Sequence, residues 1–351
     1  MKINTLFCIR PATRNIGNDI INKATADLIY EAFGDDAGIV NIPALKGSQF
    51  GGITAKQVYD ANRLANGVIV GGGNLFENGQ LTIETQALDS LDKPMMIIGL
   101  SHGRIMGTDG RYINRSDSMP QSHIKQLTLK SQYVLVRDYA SQELLNSIGC
   151  SNVEVGGCPT MFLPANPEGY QDNGRILISL RHPSRMSVPP VLSWRIAEDV
   201  RNIVKLLHKE YGDIVSLVCH DYADLEFASG FPDVPHLYFD DVNHYIETLR
   251  NARLNITYRL HAFLPCLAFG TPTVHLTYDE RGKSMINTAA MMDWEIDINN
   301  NSSFYDALMD RIKNIDLYFE SRDKALQHMK KFREVTIKTM NAFAEKVKYS
   351  S

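Results

Sequence analysis

Arg259 and His261 stand two residues apart, where an apolar strand is predicted to give way to a helix. Residues 254–258 have the apolar pattern of a buried strand, and residues 260–269 contain good helix formers and end before Gly270. In an open parallel α/β sheet, ligands bind at the carboxyl ends of the strands. A guanidinium offers a planar fork of donors for phosphate or carboxylate, and an imidazole can transfer a proton near neutral pH. The pair therefore predicts a small anion held beside an acid or base; a surface arginine and a core histidine are the alternative.

The composition is typical of a folded protein with two domains. The chain has 351 residues, whereas a domain usually has about 100–200. Hydrophobic residues at 44% and charged residues at 22% exclude a disordered or fibrous chain. The 36 basic and 40 acidic residues give a formal net charge of −4, so no general electrostatic surface for nucleic acid or an acidic membrane is expected. Any anion must bind in a local pocket.

The cysteines and the amino terminus indicate the cellular compartment. The opening MKINTLFCIRPATRN is too short and too polar for a signal peptide or a membrane span, so we expect a cytoplasmic protein. The cysteines are scattered, odd in number and without a CxxC pair, which favours neither a disulfide framework nor a zinc site. We expect reduced thiols, mostly in the core, and no metal ion. They are Cys8, Cys150, Cys158, Cys219 and Cys266.

Strands and helices alternate through both halves of the chain, which predicts an α/β protein with two Rossmann-like domains built on parallel sheets. The predicted strands are 3–9, 38–42, 67–70, 94–100, 133–136, 153–155, 176–180, 214–219, 254–258, 273–276 and one near 296. The predicted helices are 20–33, 54–65, 141–148, 191–211, 242–252, 260–269, 282–292 and a terminal one with an apolar stripe over 318–347. A segment rich in proline and glycine, 156–173, is expected to join domains spanning 1–165 and 170–315. The helix within 316–351 could clamp the two domains or mediate a homodimer.

Two loops of the first half are candidate ligand loops. The loop after the first strand ends near Asn18 and Asp19, either of which is placed to cap the following helix. Gly71, Gly72 and Gly73 follow a buried strand and precede Asn74. Glycines allow a sharp turn and let a ligand approach main-chain N–H groups, although the spacing is not the GxGxxG of dinucleotide sites. The alternative interpretation is a tight turn.

Residues 99–103, GLSHG, fit the G-x-S-x-G pattern of a hydrolase nucleophile elbow. The pattern does not favour a hydrolase, because Gly107, Asp109 and Gly110 follow where the elbow requires a helix. Histidines also stand at or near other predicted strand ends, namely His102, His182, His220 and His275. A structural role is favoured for each, although His102 and His182 could line the acceptor side of a cleft.

In these residues the chain resembles the polysaccharide pyruvyl transferases, over roughly residues 3–298. The resemblance rests on Gly17-Asn18-Asp19, Gly71-Gly72-Gly73-Asn74-Leu75, Arg137-Asp138 with Ser141 and Leu144, Leu180-Arg181, and above all Arg259-Leu260-His261-Ala262 with Gly270, Pro272 and Tyr278. It implies two Rossmann-like domains that face each other across a cleft, as in GT-B glycosyltransferases. It also implies transfer of the enolpyruvyl group of phosphoenolpyruvate to two hydroxyls of a sugar, with formation of a ketal and release of phosphate.

The resemblance implies roles for particular residues. His261 would donate the proton, and the donor would be bound by Arg259, Arg181, Leu260, Tyr278 and Lys283. Further candidates, on the acceptor side or in the loops of the cleft, are Asn18, Gly71, Gly72, Gly73, Asn74, His102 and His182. Phosphoenolpyruvate is the donor substrate, and no further cofactor is implied. The acceptor would be a sugar of a polysaccharide or of a glycan precursor, which allows peripheral association with membrane-bound glycan machinery.

Two positions depart from the family pattern. The segment that includes Pro159 lacks the usual aspartate, and Arg281 replaces the lysine expected three residues after Tyr278, with Lys283 two residues further on. Two other functions therefore stay open. One is a GT-B glycosyltransferase that uses a nucleotide sugar, and the other is a non-catalytic sugar- or anion-binding relative.

Overall fold

The first sheet is formed by the amino-terminal half of the chain. In this computed structural model residues 3–45, 50–107, 109, 111–165, 168–299 and 304–349 are described. The helices and strands of this half are β1 (Asn4–Arg10), α1 (Ile16–Phe33), β2 (Ala37–Pro43), α2 (Ala55–Leu64), β3 (Gly67–Gly73), α3 (Thr85–Asp89), β4 (Met95–Leu100), β5 (Ile105–Met106), β6 (Tyr112–Ile113), α4 (Gln121–Lys130), β7 (Tyr133–Val136), α5 (Tyr139–Ser147) and β8 (Glu154–Val155). The sheet is parallel, in the order β2-β1-β3-β4-β7-β8.

The second half builds a sheet of the same kind, in the order β11-β10-β9-β12-β13-β14, again with all pairs parallel. Its elements are β9 (Ile176–Ser179), α6 (Pro190–Tyr211), β10 (Val215–Cys219), α7 (Tyr222–Ala228), β11 (His236–Tyr238), α8 (Val242–Arg250), β12 (Leu254–Thr257), α9 (Leu260–Phe269), β13 (Thr273–Thr277), α10 (Glu280–Thr288), β14 (Glu295–Asp297), α11 (Phe304–Lys313) and α12 (Leu317–Tyr349). The prediction of an α/β fold with two parallel Rossmann-like sheets is confirmed.

Each sheet has one position where the strand order reverses. In the first sheet this switch point lies between β1 and β3, and in the second it lies between β9 and β12. Crossovers run to opposite faces on the two sides of a switch point, so the loops that leave its strands open a crevice for ligands. The two crevices face each other across the cleft, and the loops after β1, β3, β9 and β12 supply most of its walls.

The predicted start of α1 is wrong by four residues. The helix begins at Ile16, and Asn15 caps it by accepting a hydrogen bond from the Gly17 N–H at 2.9 Å. The Ile16 N–H donates to the backbone oxygen of His220 across the cleft at 3.1 Å. This tertiary contact gives a partner to one of the backbone N–H groups that a helix leaves unpaired at its amino terminus. Because the helix begins at Ile16, Asn18 lies in its first turn and is not the cap.

The glycine triplet is the end of β3 rather than a ligand loop. Gly72 and Gly73 have φ of +82° and +78°, and all three glycines are buried. A Cβ on Gly71 would lie 2.9 Å from Ile98 Cγ2, and one on Gly72 would lie 2.4 Å from Ile21 Cγ2. The glycines therefore let α1 and β4 pack against β3, as the alternative of a tight turn implies, and they do not line the cavity of the cleft.

Gly72→Ala is expected to destabilise the protein by roughly 2–4 kcal/mol, since it adds a steric clash with α1 to the cost of a positive φ. Urea unfolding of the purified protein measures the change. Gly79→Ala is the matched control, because Gly79 also has a positive φ of +57° but its Cβ would have no heavy atom within 4 Å. The control should lose about 1 kcal/mol. Equal losses in the two variants would contradict a role for Gly72 in helix packing.

The terminal helix α12 contacts both halves of the chain. The Thr336 hydroxyl donates to the backbone oxygen of Gly156 at 2.9 Å in the first half. Toward its start, Arg322 donates from Nε to the backbone oxygen of Leu267 at 2.9 Å in the second half. None of the described helices has the length and apolarity that crossing a membrane would require.

Several elements were not predicted from the sequence. They are the short helices α3, α4, α7 and α11, the strand β11 and the antiparallel pair β5–β6. In addition, α10 begins at Glu280 rather than at residue 282, because Asp279 caps it by accepting a hydrogen bond from the Gly282 N–H at 3.0 Å. Of the residues of α10, Arg281 and Gly282 line the cavity of the cleft.

Candidate active site in the cleft

A cavity of about 680 Å³ lies in the cleft where the switch-point loops of the two sheets meet. The residues that line it fall into two chemically different groups. The loops of the first sheet supply mainly side-chain amides, and those of the second sheet supply mainly arginines and histidines. We call the part of the wall formed by these amides the neutral wall and the part formed by the second sheet the basic wall. Arg115, Asp117 and Arg137 of the first half also line the cavity.

The neutral wall carries five side-chain amides, those of Asn15, Asn18, Asn74, Asn78 and Gln80. An amide both donates and accepts hydrogen bonds, which suits the hydroxyl groups of a sugar. Of the residues predicted on the acceptor side, Asn18 and Asn74 lie in this wall. The glycines at positions 71–73 do not.

His261 lies in the cavity wall in the first turn of α9. Its backbone, with φ −84° and ψ 19°, departs from helical geometry into a region often occupied at active sites. Its Nε2 is buried and has no hydrogen-bond partner among the described residues. Burial, and then the charges of Arg137, Arg259 and Arg281, hold the pKa of His261 well below its ordinary value. The imidazole is therefore neutral near neutral pH unless a bound anion offsets these charges.

Arg259 lies in the wall too, but most of its guanidinium is already engaged. Its Nε donates to the backbone oxygen of Leu180 at 2.9 Å, and its Nη2 donates to Asp221 at 3.2 Å and to Asp224. Burial alone would lower the pKa of Arg259, but the carboxylates of Asp224 and Asp221 outweigh it and raise that pKa. Only Nη1 is without a partner in the described structure, so Arg259 does not present a free fork to a ligand.

Arg181, unlike Arg259, has no carboxylate partner among the described residues. Its Nε and Nη2 donate to the backbone oxygen of Arg185 at 3.1 and 2.6 Å, and no described carboxylate forms an ion pair with it. Burial and then the charge of Arg259 lower the pKa of Arg181. Leu260 and Tyr278 also line the cavity, so the structure brings four of the five predicted donor-binding residues together.

Lys283 is the exception, because the structure does not place it in the wall of the cavity. Because α10 begins at Glu280, Lys283 lies outside the cavity wall, where its Nζ is 3.5 Å from the Asp297 carboxylate. Arg281 lies in the wall instead, with Nε 2.9 Å from Asp279 and Nη1 2.9 Å from Glu77. The cation at this edge of the cleft is thus an arginine held by two carboxylates.

Polar contacts join the two walls directly. Glu77 and Arg104 belong to the first half of the chain, whereas Arg281 and Glu280 belong to the second. Arg104 Nε donates to Glu280 at 2.8 Å, beside the pair between Arg281 and Glu77. These pairs fix the separation of the two halves on one side of the cavity.

His102 and His182 do not line the cavity, so the suggestion that they form the acceptor side is not supported by their positions. His102 Nε2 lies 3.4 Å from the Ser118 hydroxyl. His182 caps a short 3₁₀ turn through Nδ1, which accepts from the Ser184 N–H at 3.1 Å, and its ring packs edge-on against Phe227. Both rings serve local structure.

His220 is a cavity residue for which the sequence favoured a structural role. The Tyr245 hydroxyl donates to the backbone oxygen of His261 at 2.9 Å and lies 3.2 Å from His220 Nε2. Since a carbonyl can only accept, Nε2 carries the hydrogen and donates to Tyr245, which leaves Nδ1 as an acceptor. Burial, and then Arg259, His261 and Arg181, hold the pKa of His220 well below its ordinary value. The sequence contained one indication of this placement: His220 directly follows β10, at the same edge of the sheet as Arg259.

His275 also lines the cavity and is nearly inaccessible. Its Nδ1 lies 2.7 Å from the Thr277 hydroxyl, and its Nε2 has no partner within the described ranges. Burial lowers the pKa of His275 from 6.5 to about 4, against the opposing charge of Asp279. A proton is therefore bound more tightly in the unfolded chain than in the native protein.

We expect the free energy of unfolding to fall as the pH drops from about 6.5 toward 4, because the unfolded state binds more protons across this window. The contribution of His275 is roughly 2 kcal/mol by pH 5. Urea unfolding at pH 7 and pH 5 should therefore show a smaller pH effect in His275→Asn than in the wild type. His123→Asn, at a partly exposed position of α4, should keep the wild-type pH effect. An unchanged pH effect in His275→Asn would contradict the neutral state of His275.

No cluster of three or more His, Cys, Asp or Glu side chains in the described part of the chain is arranged to hold a metal ion. All five cysteines are buried and unpaired. The polar groups that line the cavity are arginines, histidines, amides, hydroxyls and the carboxylates of Asp117 and Asp279.

Two Rossmann-like sheets that face each other across a polar, arginine-rich cavity place the protein in the GT-B-like structural class. Within that class, the model of the polysaccharide pyruvyl transferase family matches residues 15–280, from the cap of α1 to the start of α10. The chain belongs to this family, and the resemblance noted in the sequence is confirmed. The family supports a transferase. No curated protein sequence matched the chain.

Solved structures of nucleotide-sugar enzymes share the fold. S. aureus MnaA, solved with UDP, superposes with a TM-score of 0.56 at 12% identity, over 94% of this chain and 96% of that chain. The UDP-GlcNAc 2-epimerase of Neisseria meningitidis, bound to UDP-GlcNAc, gives 0.55 at 12% identity, over 92% and 94%. A Glycyrrhiza uralensis protein complexed with glycyrrhetinic acid 3-O-monoglucuronide gives 0.52 at 8% identity, over 100% and 96%. At these identities the similarity concerns the fold alone.

Proposed function

We propose that the protein transfers the pyruvyl group of phosphoenolpyruvate to a sugar of a polysaccharide or glycan precursor and forms a pyruvate ketal. The observation that carries this proposal is His261, a half-buried histidine whose Nε2 is buried and unpartnered among the described residues, in the wall of a cavity lined by arginines. Such a site can bind a small molecule with several negative charges and give it a proton. Phosphoenolpyruvate has a carboxylate, a phosphate and a methylene carbon that takes up a proton.

The basic wall suits the two anionic groups of the donor. Arg181 and Arg259 line the same cavity as Leu260 and His261, which lie in the first turn of α9. Hydrogen bonds from guanidinium groups to carboxylate or phosphate are among the strong ones in proteins. Bound negative charge beside His261 also raises the pKa of its imidazole, since it offsets the surrounding arginines. Donor binding thereby favours the protonated form of the acid that the reaction needs.

The proposed chemical steps use these residues. His261 gives a proton to the methylene carbon, and positive charge develops at C2 of the donor. A first sugar hydroxyl attacks C2 and loses its proton, for which the neutral Nδ1 of His220 is one acceptor in the same wall. The C2–O bond to phosphate then breaks, and a second hydroxyl attacks C2 to close the ketal. The two hydroxyl protons balance those taken up by the methyl group and by the departing phosphate.

The neutral wall supplies the acceptor side. Its amides, among them Asn18, Asn74 and Asn78, line the same cavity as the basic wall. A sugar held there would present its hydroxyls to a donor bound beside His261. Amides can orient a neutral sugar without competing with the arginines for the donor.

The first experiment is thermal unfolding of the purified protein with and without phosphoenolpyruvate. It is followed by mass spectrometry of glycan acceptors that were incubated with the protein and phosphoenolpyruvate. A ligand at 100 times its dissociation constant stabilises the native state by about 2.7 kcal/mol, which gives a clear upward shift. We expect that shift, phosphate release and an acceptor that gains one pyruvate ketal. A shift with UDP-GlcNAc and none with phosphoenolpyruvate would favour a nucleotide-sugar enzyme instead. Donor binding without phosphate release over a broad acceptor set would favour a non-catalytic relative.

A further inference from the structure

Two exposed tyrosines, Tyr222 and Tyr238, are stacked on each other at the carboxyl edge of the second sheet. Tyr222 begins α7 just after β10, and Tyr238 is the last residue of the neighbouring edge strand β11. Their ring centroids are 5.5 Å apart, and the ring planes are inclined by only 20°. Tyr222 is 55% exposed and Tyr238 is 36% exposed. These two residues, which we call the tyrosine pair, present aromatic surface to solvent at the sheet edge where ligands bind.

The first sheet reaches the tyrosine pair through the loop after β1. Arg14 of this loop donates from Nη1 to the Tyr222 hydroxyl at 3.3 Å, and its guanidinium lies 5.9 Å from the centre of the Tyr222 ring. The next residue, Asn15, donates from Nδ2 to Asp221 at 3.2 Å. Thr13 and Asn15, on either side of Arg14 in the chain, both line the cavity. The tyrosine pair therefore lies just outside the cavity, beside the neutral wall.

The tyrosine pair has the chemistry of a surface that binds sugar rings. One face of a sugar ring can carry several C–H groups, which pack on an aromatic ring, while its hydroxyl groups need hydrogen-bond partners at the edge. The pair offers aromatic carbon together with two phenol hydroxyls, and Arg14 adds guanidinium donors beside them. Single exposed aromatic residues are common on protein surfaces, whereas a stacked pair next to a polar cavity suits a ligand that extends out of that cavity.

We propose that the tyrosine pair binds sugar units of an oligosaccharide acceptor that lie beyond the unit held in the cavity. This inference rests on the proposed function, because the acceptor is there taken to be a glycan. The neutral wall orients the unit that receives the pyruvyl group, and the chain continues past Thr13 and Arg14 onto the tyrosine pair. The cleft thereby favours an oligosaccharide over a free monosaccharide.

Calorimetric titration of the full-length protein with sugars, in the absence of phosphoenolpyruvate, tests this site. The probes are glucose, galactose, mannose and N-acetylglucosamine, each compared with a linear tetrasaccharide of the same sugar. We expect at least one tetrasaccharide to bind roughly 10-fold more tightly than its monosaccharide, the gain of about one stacking contact. Tyr222→Ala and Tyr238→Ala should each remove most of this gain and leave monosaccharide binding unchanged. Tyr222→Phe, which retains the ring, should keep most of it.

The matched control is Tyr59→Ala. Tyr59 on α2 is 59% exposed, and its hydroxyl also accepts from an arginine, Arg63, at 2.8 Å. It does not line the cavity, and no described ring packs against it. This variant should bind every probe like the wild type. Since Tyr59 and Tyr222 are both exposed, the two alanine variants are expected to unfold at the wild-type urea concentration, so a loss of affinity reports on binding rather than on folding.

Equal affinities for every tetrasaccharide and its monosaccharide would overturn the inference and leave the proposed donor chemistry intact, as would a tetrasaccharide affinity that survives both alanine substitutions. Conversely, tetrasaccharide binding that depends on Tyr222, in a protein that releases no phosphate from phosphoenolpyruvate, would support the sugar site and overturn the proposed function. Binding of UDP that is lost in Tyr222→Ala, with no tetrasaccharide bound, would assign the tyrosine pair to a nucleobase and overturn the inference.

Discussion

His261→Asn is expected to lower turnover by about 10²–10⁴-fold while it leaves the affinity for phosphoenolpyruvate within a few-fold of wild type, since a general acid contributes about that much to such a step. The substitution should also leave the fold intact. The contact that ties this turn of α9 to Tyr245 uses the backbone oxygen of residue 261, which every variant retains. Phosphate release gives the turnover, and calorimetry gives the donor affinity.

The control for the histidine is His123→Asn, which changes a histidine of α4 that does not line the cavity. It should keep wild-type turnover. If His261→Asn also kept it, His261 could not be the proton donor, and His220 would become the candidate because it is the other histidine held by Tyr245 in the same wall. A loss of donor affinity as large as the loss of turnover would instead make His261 a binding residue.

Arg259→Met is expected to lower the free energy of unfolding by about 3–5 kcal/mol, the usual cost of removing one partner from a buried ion pair. The guanidinium is 8% exposed, and its loss would leave the fully buried carboxylate of Asp224 without a cation. Asp224 still accepts from the backbone N–H groups of His182 and His220, at 2.8 and 3.1 Å, so its charge stays buried. Urea unfolding at neutral pH measures the change.

Arg181→Met is the matched comparison, since it removes an arginine of the same wall that pairs with no described carboxylate. Its stability should remain within about 1 kcal/mol of wild type. Weaker donor binding in this variant would therefore report on the site itself, whereas in Arg259→Met it would be mixed with lost stability. Equal losses of stability in the two variants would show that the pairs between Arg259 and its carboxylates contribute little.

Much of the architecture could be predicted from local sequence. The strand 133–136 and the helix 260–269 were predicted with the bounds that the structure shows, because buried parallel strands and apolar helices carry dense periodic signals. The placement of Arg259 and His261 at a strand-to-helix junction followed from the same pattern. These features depend on residues that are close to one another in the chain, and a single sequence is enough to show them.

The tertiary structure decided what each candidate residue touches. Gly72 was predicted in a ligand loop, but its neighbour is Ile21 of α1, which lies about fifty residues earlier in the chain. Arg259 is paired by Asp221 and Asp224, which come from a different βα unit of the same sheet. No periodicity within a single segment encodes such a pairing.

By itself, then, the sequence determined the α/β class, the strand ends that carry the chemistry and the family. The structure alone decided that His220 and Arg137 line the cavity whereas His182 and Lys283 do not, and which arginines are already paired with carboxylates. The physical reason is that secondary structure follows from side chains a few residues apart. The charge state and accessibility of a group follow instead from side chains that only folding brings together.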